Sequence, residues 1–180
     1  RVLIYNTIPT QNNASADVVV GQTDMTSDGS ATTAYEFGDA DGVYSDGTKF
    51  YVVDNDNDRI LIYNTIPTAN NASADVVVGQ TDMTSWGSSC SATEIDMPHG
   101  VSTDGEKFYI ADYGNDRVLI YNSIPTTNGA SADVVVGQTD MVSSSTGLTA
   151  YQLESPWDVT SDGTKLYIAD WLHARFLIYN

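Results

Sequence analysis

Asp54, Asp56 and Asp58 alternate with Asn55 and Asn57, the spacing at which a calcium-binding loop presents its carboxylates. Hard oxygen donors on every second residue can wrap a cation of that size. This stretch is therefore the candidate metal site, with calcium as its ion. It lacks the following glycine and the distal glutamate of an EF-hand. The equivalent stretches, Asp112-Tyr-Gly-Asn-Asp116 and Asp170-Trp-Leu-His-Ala174, lose the alternation. His99 and His173 are the two histidines, whereas a zinc centre wants three or four ligands. No glycine-rich phosphate loop, nucleophile elbow or paired-cysteine motif occurs. Cys90 is the single cysteine, so no disulfide can form within the chain.

These residues sit in a repeat of 58 residues. The phrase Arg-(Val/Ile/Phe)-Leu-Ile-Tyr-Asn begins at Arg1, Arg59, Arg117 and Arg175, and Ser-Ala-Asp-Val-Val-Val-Gly-Gln-Thr-Asp-Met begins unchanged at Ser15, Ser73 and Ser131. The repeats run 1–58, 59–116 and 117–174, and a fourth starts at 175–180. Such a period marks supersecondary units that cannot bury their apolar faces alone. Within one unit, Gly42–Ser45 (strand a) meets the hairpin signal Asp46-Gly47 and returns as Thr48–Asp54 (b). A polar turn leads to Arg59–Tyr63 (c). A loop containing Pro67 leads to Asp75–Gly79 (d). Four short antiparallel strands per repeat predict an all-β fold of β-propeller blades, about three in this chain. A β-helical solenoid is the structural alternative, but its coils are usually shorter and free of hairpins. Counted through the chain, the strands leave an incomplete blade at each end. A six-bladed ring would take about 348 residues, six times the repeat. We therefore read the chain as a segment of a longer or processed polypeptide, or as one that associates with copies of itself.

Positions that differ between copies on this constant scaffold are the candidate ligand-binding residues. Before strand a they are Asp41, His99 and Trp157. In the b–c turn they are Asn55, Tyr113 and Trp171, then Asp56, Gly114 and Leu172, then Asn57, Asn115 and His173. Strand a starts and strand b ends at the same edge of an antiparallel pair, so these side chains are expected on one face, at the channel mouth. Exposed Trp and Tyr there suit a glycan or protein ligand. Drift among exposed duplicated loops is the competing account. The copied pairs Asp54/Arg59, Asp112/Arg117 and Asp170/Arg175 read instead as structural ties of the b–c turn.

The formal charge is −17, from 24 acids and 7 bases, and every base stands in repeat register. No basic patch remains for nucleic acid, and an anionic membrane surface is disfavoured for the same reason. No stretch is long and apolar enough for a membrane helix. Abundant Ser, Thr, Asn and Asp suggest an extracellular or cell-surface setting. Asn13-Ala-Ser and Asn71-Ala-Ser are glycosylation sequons that also read as ordinary turns; the third copy has Gly129.

Pro98-His99-Gly100-Val101, Asp104-Gly105, Tyr109-Ile110-Ala111-Asp112 and Asn115-Asp116-Arg117-Val118 together resemble the NHL repeat. That pattern runs Pro-X-Gly-Val, Asp-Gly, Tyr-Val-Ala-Asp, Asn-X-Arg-Val. The first copy lacks the proline, and the third matches through Pro156-Trp157-Asp158-Val159, Tyr167-Ile168-Ala169-Asp170 and Arg175. The resemblance covers strands a to c of every repeat, and the Val-Val-Val segment is similar to the outer strand of long-repeat bacterial NHL-like proteins. It implies a propeller, a scaffold shared by interaction platforms and enzymes alike. The expected function is a secreted, non-enzymatic binding or assembly module. Strand d is expected to present a free apolar edge for self-association. The alternative is a metal-dependent lyase or lactonase-like enzyme at the channel mouth, begun by Asp41, His99 and Asp158.

Overall fold

The computed structural model describes residues 1–180. It is all-β: thirteen strands in four antiparallel sheets. β1 (Val2–Ile4) and β2 (Val18–Val20) form a two-stranded sheet. β3 (Ala40–Ser45), β4 (Phe50–Asp54), β5 (Arg59–Tyr63) and β6 (Val76–Val78) form the first complete blade. β7 (Pro98–Thr103), β8 (Phe108–Asp112), β9 (Arg117–Tyr121) and β10 (Val134–Val136) form the second. β11 (Pro156–Ser161), β12 (Leu166–Asp170) and β13 (Arg175–Tyr179) make a three-stranded sheet. Each complete blade is a meander in chain order. The first strands β3, β7 and β11 lie side by side, so the sheets fan out from that inner edge without closing a ring.

The apolar runs are buried because sheets cover both faces of a complete blade. Tyr51, Val53, Ile60 and Ile62 on one face of the first blade pack against Val101, Phe108, Ile110 and Leu119 of the second. The opposite face, with Val52 and Leu61, packs against Val18, Val20 and Phe37. A strand covered on both faces has no need of polar alternation, which is why Arg-Ile-Leu-Ile-Tyr is buried throughout.

The copied ion pairs are structural, and they reach further than the b–c turn. Arg59 Nε lies 2.7 Å from Asp54 Oδ2, with both side chains fully buried. Its Nη1 donates to the Met83 carbonyl (2.7 Å), and Nη2 donates to those of Thr33 (2.9 Å) and Glu36 (3.0 Å). Arg117 repeats the set with Asp112, Met141, Ser91 and Glu94. A buried pair is tolerable only when its remaining donors are satisfied, and here each guanidinium stitches loop backbone on both sides of its blade. Burial pushes the Asp112 carboxyl up to about 6 against the pull of Arg117.

The outer strands differ from expectation. β2 and β6 do not present free edges. Val19 N–H donates to Asn70 Oδ1 (3.0 Å) and the Val19 carbonyl accepts from Asn71 N–H (3.1 Å). Val77 is held in the same way by Asn128 Oδ1 (3.0 Å) and Gly129 N–H (3.2 Å). The c–d loop of each blade thus caps the outermost strand of the blade before it. The second residue of this cap is left-handed, with φ of 60° at Asn13, 56° at Asn71 and 63° at Gly129. That conformation explains the Asn/Gly exchange at the sequon position, since these residue types adopt it at least cost.

Candidate functional site

Three residues that vary between copies share one backbone device. Strand pairing in each blade skips a residue: the register jumps between Ala40 and Gly42, Pro98 and Gly100, and Pro156 and Asp158. Asp41, His99 and Trp157 are the skipped residues. A bulge of this kind turns its extra side chain out of the ladder, and here it delivers one variable side chain per blade to the same rim. Tyr113 comes from the 3-10 turn Tyr113–Asn115 after β8, and Trp171 from the equivalent turn after β12.

These side chains form one continuous cluster. The His99 ring stacks on Trp157 at 4.0 Å and 17°, and meets the edge of Tyr113 at 4.6 Å. Trp157 meets Trp171 at 5.2 Å and 63°, and Tyr113 lies 6.0 Å from Trp171. On its other side, His99 Nδ1 lies 2.8 Å from Asp41 Oδ2. Burial lowers the His99 pKa below 6.5, partly opposed by Asp41, so the neutral imidazole prevails at pH 7. Trp157 and Trp171 remain 45% and 52% exposed, unusual for residues already in mutual contact.

Two shallow hollows flank the cluster. One of about 210 Å³ is bounded by Asp41, His99, Trp157 and Asp158. The Asp158 carboxyl is raised by its burial there. The other, of about 260 Å³, lies between Trp157, Trp171 and Phe176. Phe176 escaped the sequence reading because it occupies a core position in the other copies. The only signal was the Val/Ile/Phe change in the strand-c phrase.

Other expected site residues are engaged elsewhere. Asn55 donates to the Pro98 carbonyl (3.0 Å) and ties two blades together. His173 is half-buried, with Nδ1 3.0 Å from Asp170 and Nε2 3.0 Å from Glu154. It takes the structural place of Asn57 and Asn115, which donate to Asp54 and Asp112. Two carboxylates of the candidate calcium loop point to different partners. Asp54 turns inward to Arg59, Asn57 and the Gly38 N–H, whereas Asp58 turns away to accept from the Met97 N–H (2.9 Å). No group of three His, Cys, Asp or Glu side chains is placed to hold a metal ion. The alternating carboxylates serve strand geometry: Asp58 ends the 3-10 turn Asn55–Asn57 in the left-handed region and anchors the entry to β7.

No protein-family model matches the chain, and no curated protein matches it. Among solved structures, it is similar to a protein from Bacteroides uniformis ATCC 8492, provisionally described as a 6-phosphogluconolactonase. The identity is 16% and the TM-score 0.44, over 80% of this chain and 42% of that one. The chain therefore spans less than half the length of that neighbour, and a likeness this distant carries no argument about activity.

Proposed function

We propose that this chain is a secreted, non-enzymatic binding module whose aromatic rim holds a neutral glycan or an uncharged protein segment. The observation that carries the reading is the pair of half-exposed indoles, Trp157 and Trp171, braced by the stacked His99 and Tyr113. Flat, rigid indole faces bind apolar ring faces with little entropy cost, and bracing by neighbours prepays their ordering. The net charge of −17 and the carboxylates Asp41 and Asp158 beside the rim disfavour anionic ligands. The NHL-like pattern is in keeping with an interaction platform. The extracellular setting rests on composition. A metal-dependent lyase or lactonase-like role for Asp41, His99 and Asp158 lacks a converged ligand set.

A glycan array followed by calorimetry on each hit tests the reading. Trp157→Ala and Trp171→Ala should each weaken binding by about 30-fold, roughly the 2 kcal/mol of a buried aromatic anchor, without changing the circular dichroism. Undiminished binding in both variants, or binding that maps to the loops carrying Pro9, Pro67 and Pro125, would remove it.

A further inference from the structure

The c–d loops carry one chemical difference at the cap. Asn70-Asn71 closes on Val19, and Asn128-Gly129 closes on Val77 with the same two hydrogen bonds. Asn128-Gly129 is the one Asn-Gly pair in the sequence. In such a pair no Cβ on the following residue hinders its amide nitrogen from reaching the asparagine Cγ. The Gly129 N–Cγ bond forms, the Cγ–Nδ2 bond breaks, and ammonia leaves, carrying the amide proton. Water then opens the resulting succinimide at either carbonyl, giving aspartate or isoaspartate. Water is the only co-reactant. We propose that Asn128 is a site of self-modification, held unreactive by the cap it forms, and that its isoaspartyl product uncaps β6. The site lies where the second complete blade meets the first, and the proposal does not depend on the ligand reading.

Three observations support it. First, the cap occupies both reacting groups. Asn128 Oδ1 accepts from the Val77 N–H (3.0 Å), and the Gly129 N–H donates to the Val77 carbonyl (3.2 Å). Val77 is fully buried, which strengthens both bonds. To react, the Gly129 nitrogen must shed the proton it gives to Val77, and the side-chain amide must turn its Cγ toward that nitrogen. Neither happens while the pair grips one residue at two points. Second, the loop can lift locally. Asn128 is exposed, and between Asn122 and Ala132 the two bonds to Val77 are the hydrogen bonds that tie the loop to other strands. In the preceding loop the Ile66 N–H also donates to the Thr48 carbonyl (3.0 Å), a bond without counterpart at Ile124. Ile124 and Ala130 add packing against the core. Third, the two products treat the cap differently. The aspartate product keeps the backbone path, and its carboxylate still accepts from Val77. The isoaspartate product carries the main chain through Cγ, which inserts a methylene before the Gly129 nitrogen and leaves the carboxylate on Cα. The spacing that lets one residue pair meet both Val77 groups is then lost. The Val77 N–H and C=O are left without partners on an apolar outer strand.

Peptide mass spectrometry of the chain aged at mildly alkaline pH, with fragmentation that separates aspartyl from isoaspartyl backbones, tests the proposal. Asn128 should be modified in the folded chain about tenfold or more slower than in the excised peptide 122–133, because opening must precede reaction. The rate should climb toward that of the peptide in urea well below the global midpoint, and Ile124→Ala should speed it. Asn70 should stay an amide. Gly129→Asn, which copies the residue at Asn71, should all but stop the reaction and leave the circular dichroism intact. In the separated isoaspartyl fraction the Val77 amide should exchange with deuterium faster, whereas Asn128→Asp should keep it protected. A folded-chain rate equal to that of the peptide, a rate that urea leaves unchanged, Gly129→Asn reacting as fast as the unaltered chain, or a Val77 amide still protected in the isoaspartyl fraction would each overturn the proposal.

Discussion

At the scale of single residues, identical types do opposite work according to where the backbone points them. His99, turned out by its bulge, braces an exposed tryptophan. His173, on a tight turn, is drawn inward between Asp170 and Glu154. Burial depresses the His99 pKa below its ordinary 6.5. The unfolded chain therefore binds this proton more tightly than the folded one. His99 accordingly costs no stability above pH 6.5, and stability falls as pH drops below that value. Imidazole proton shifts followed by NMR should show a His99 midpoint under 6.5. Because Asp41 favours the charged ring, Asp41→Asn should move that midpoint lower still. A midpoint above 6.5, or an upward move in Asp41→Asn, would contradict the geometry.

At the scale of elements, the c–d loop is more than a connector. It lies over the outer strand of the preceding blade and satisfies backbone groups that would otherwise form a sticky edge. Apolar Val-Val-Val can stand at the rim of the sheets ending in β2 and β6 for this reason. Asn70→Ala and Asn128→Ala each leave a buried or half-buried amide without its acceptor and should cost about 1–2 kcal/mol. Asn12→Ala, at a side chain that makes no such bond in this chain, should cost almost nothing. Urea midpoints separate the cases. Equal losses at Asn12 and Asn70 would show that the asparagine acts within its own loop and not as a clamp between blades.

At the scale of the whole molecule, charge opposes compactness. Arg59 and Arg117 are held in buried pairs with Asp54 and Asp112, each pair neutral as a whole, so the formal −17 falls on the rest of the chain. The excess Asp and Glu side chains outside those pairs repel across a small array. Raising salt from about 10 mM to about 0.5 M should therefore raise the melting temperature by several degrees, with most of the gain below about 0.15 M as screening sets in. Chloride and sulfate at equal ionic strength separate screening from general salting-out. A melting temperature that falls or stays level in both would show that repulsion is not limiting.

The sequence alone determined the all-β blade architecture, its strand order and the structural standing of the Asp/Arg pairs. Strict repetition leaves only one supersecondary unit to explain. The Asp-Gly hairpin, the apolar runs and the 58-residue register each constrain that unit locally. It also indicated the face on which the variable residues gather, because antiparallel pairing places the start of strand a beside the end of strand b. Direction and neighbourhood were decided only in three dimensions. Asp54, Asp56 and Asp58 look like a cation loop in one dimension. The 3-10 turn with its left-handed end sends Asp54 and Asp58 to different partners, and no metal group forms. The outer strand looks like an open edge until the loop of the following repeat, 51 residues away, is laid over it. Bulges, caps and buried pairs depend on which backbone groups another blade leaves unsatisfied, and that is a property of packing between repeats rather than of the residues inside any one of them.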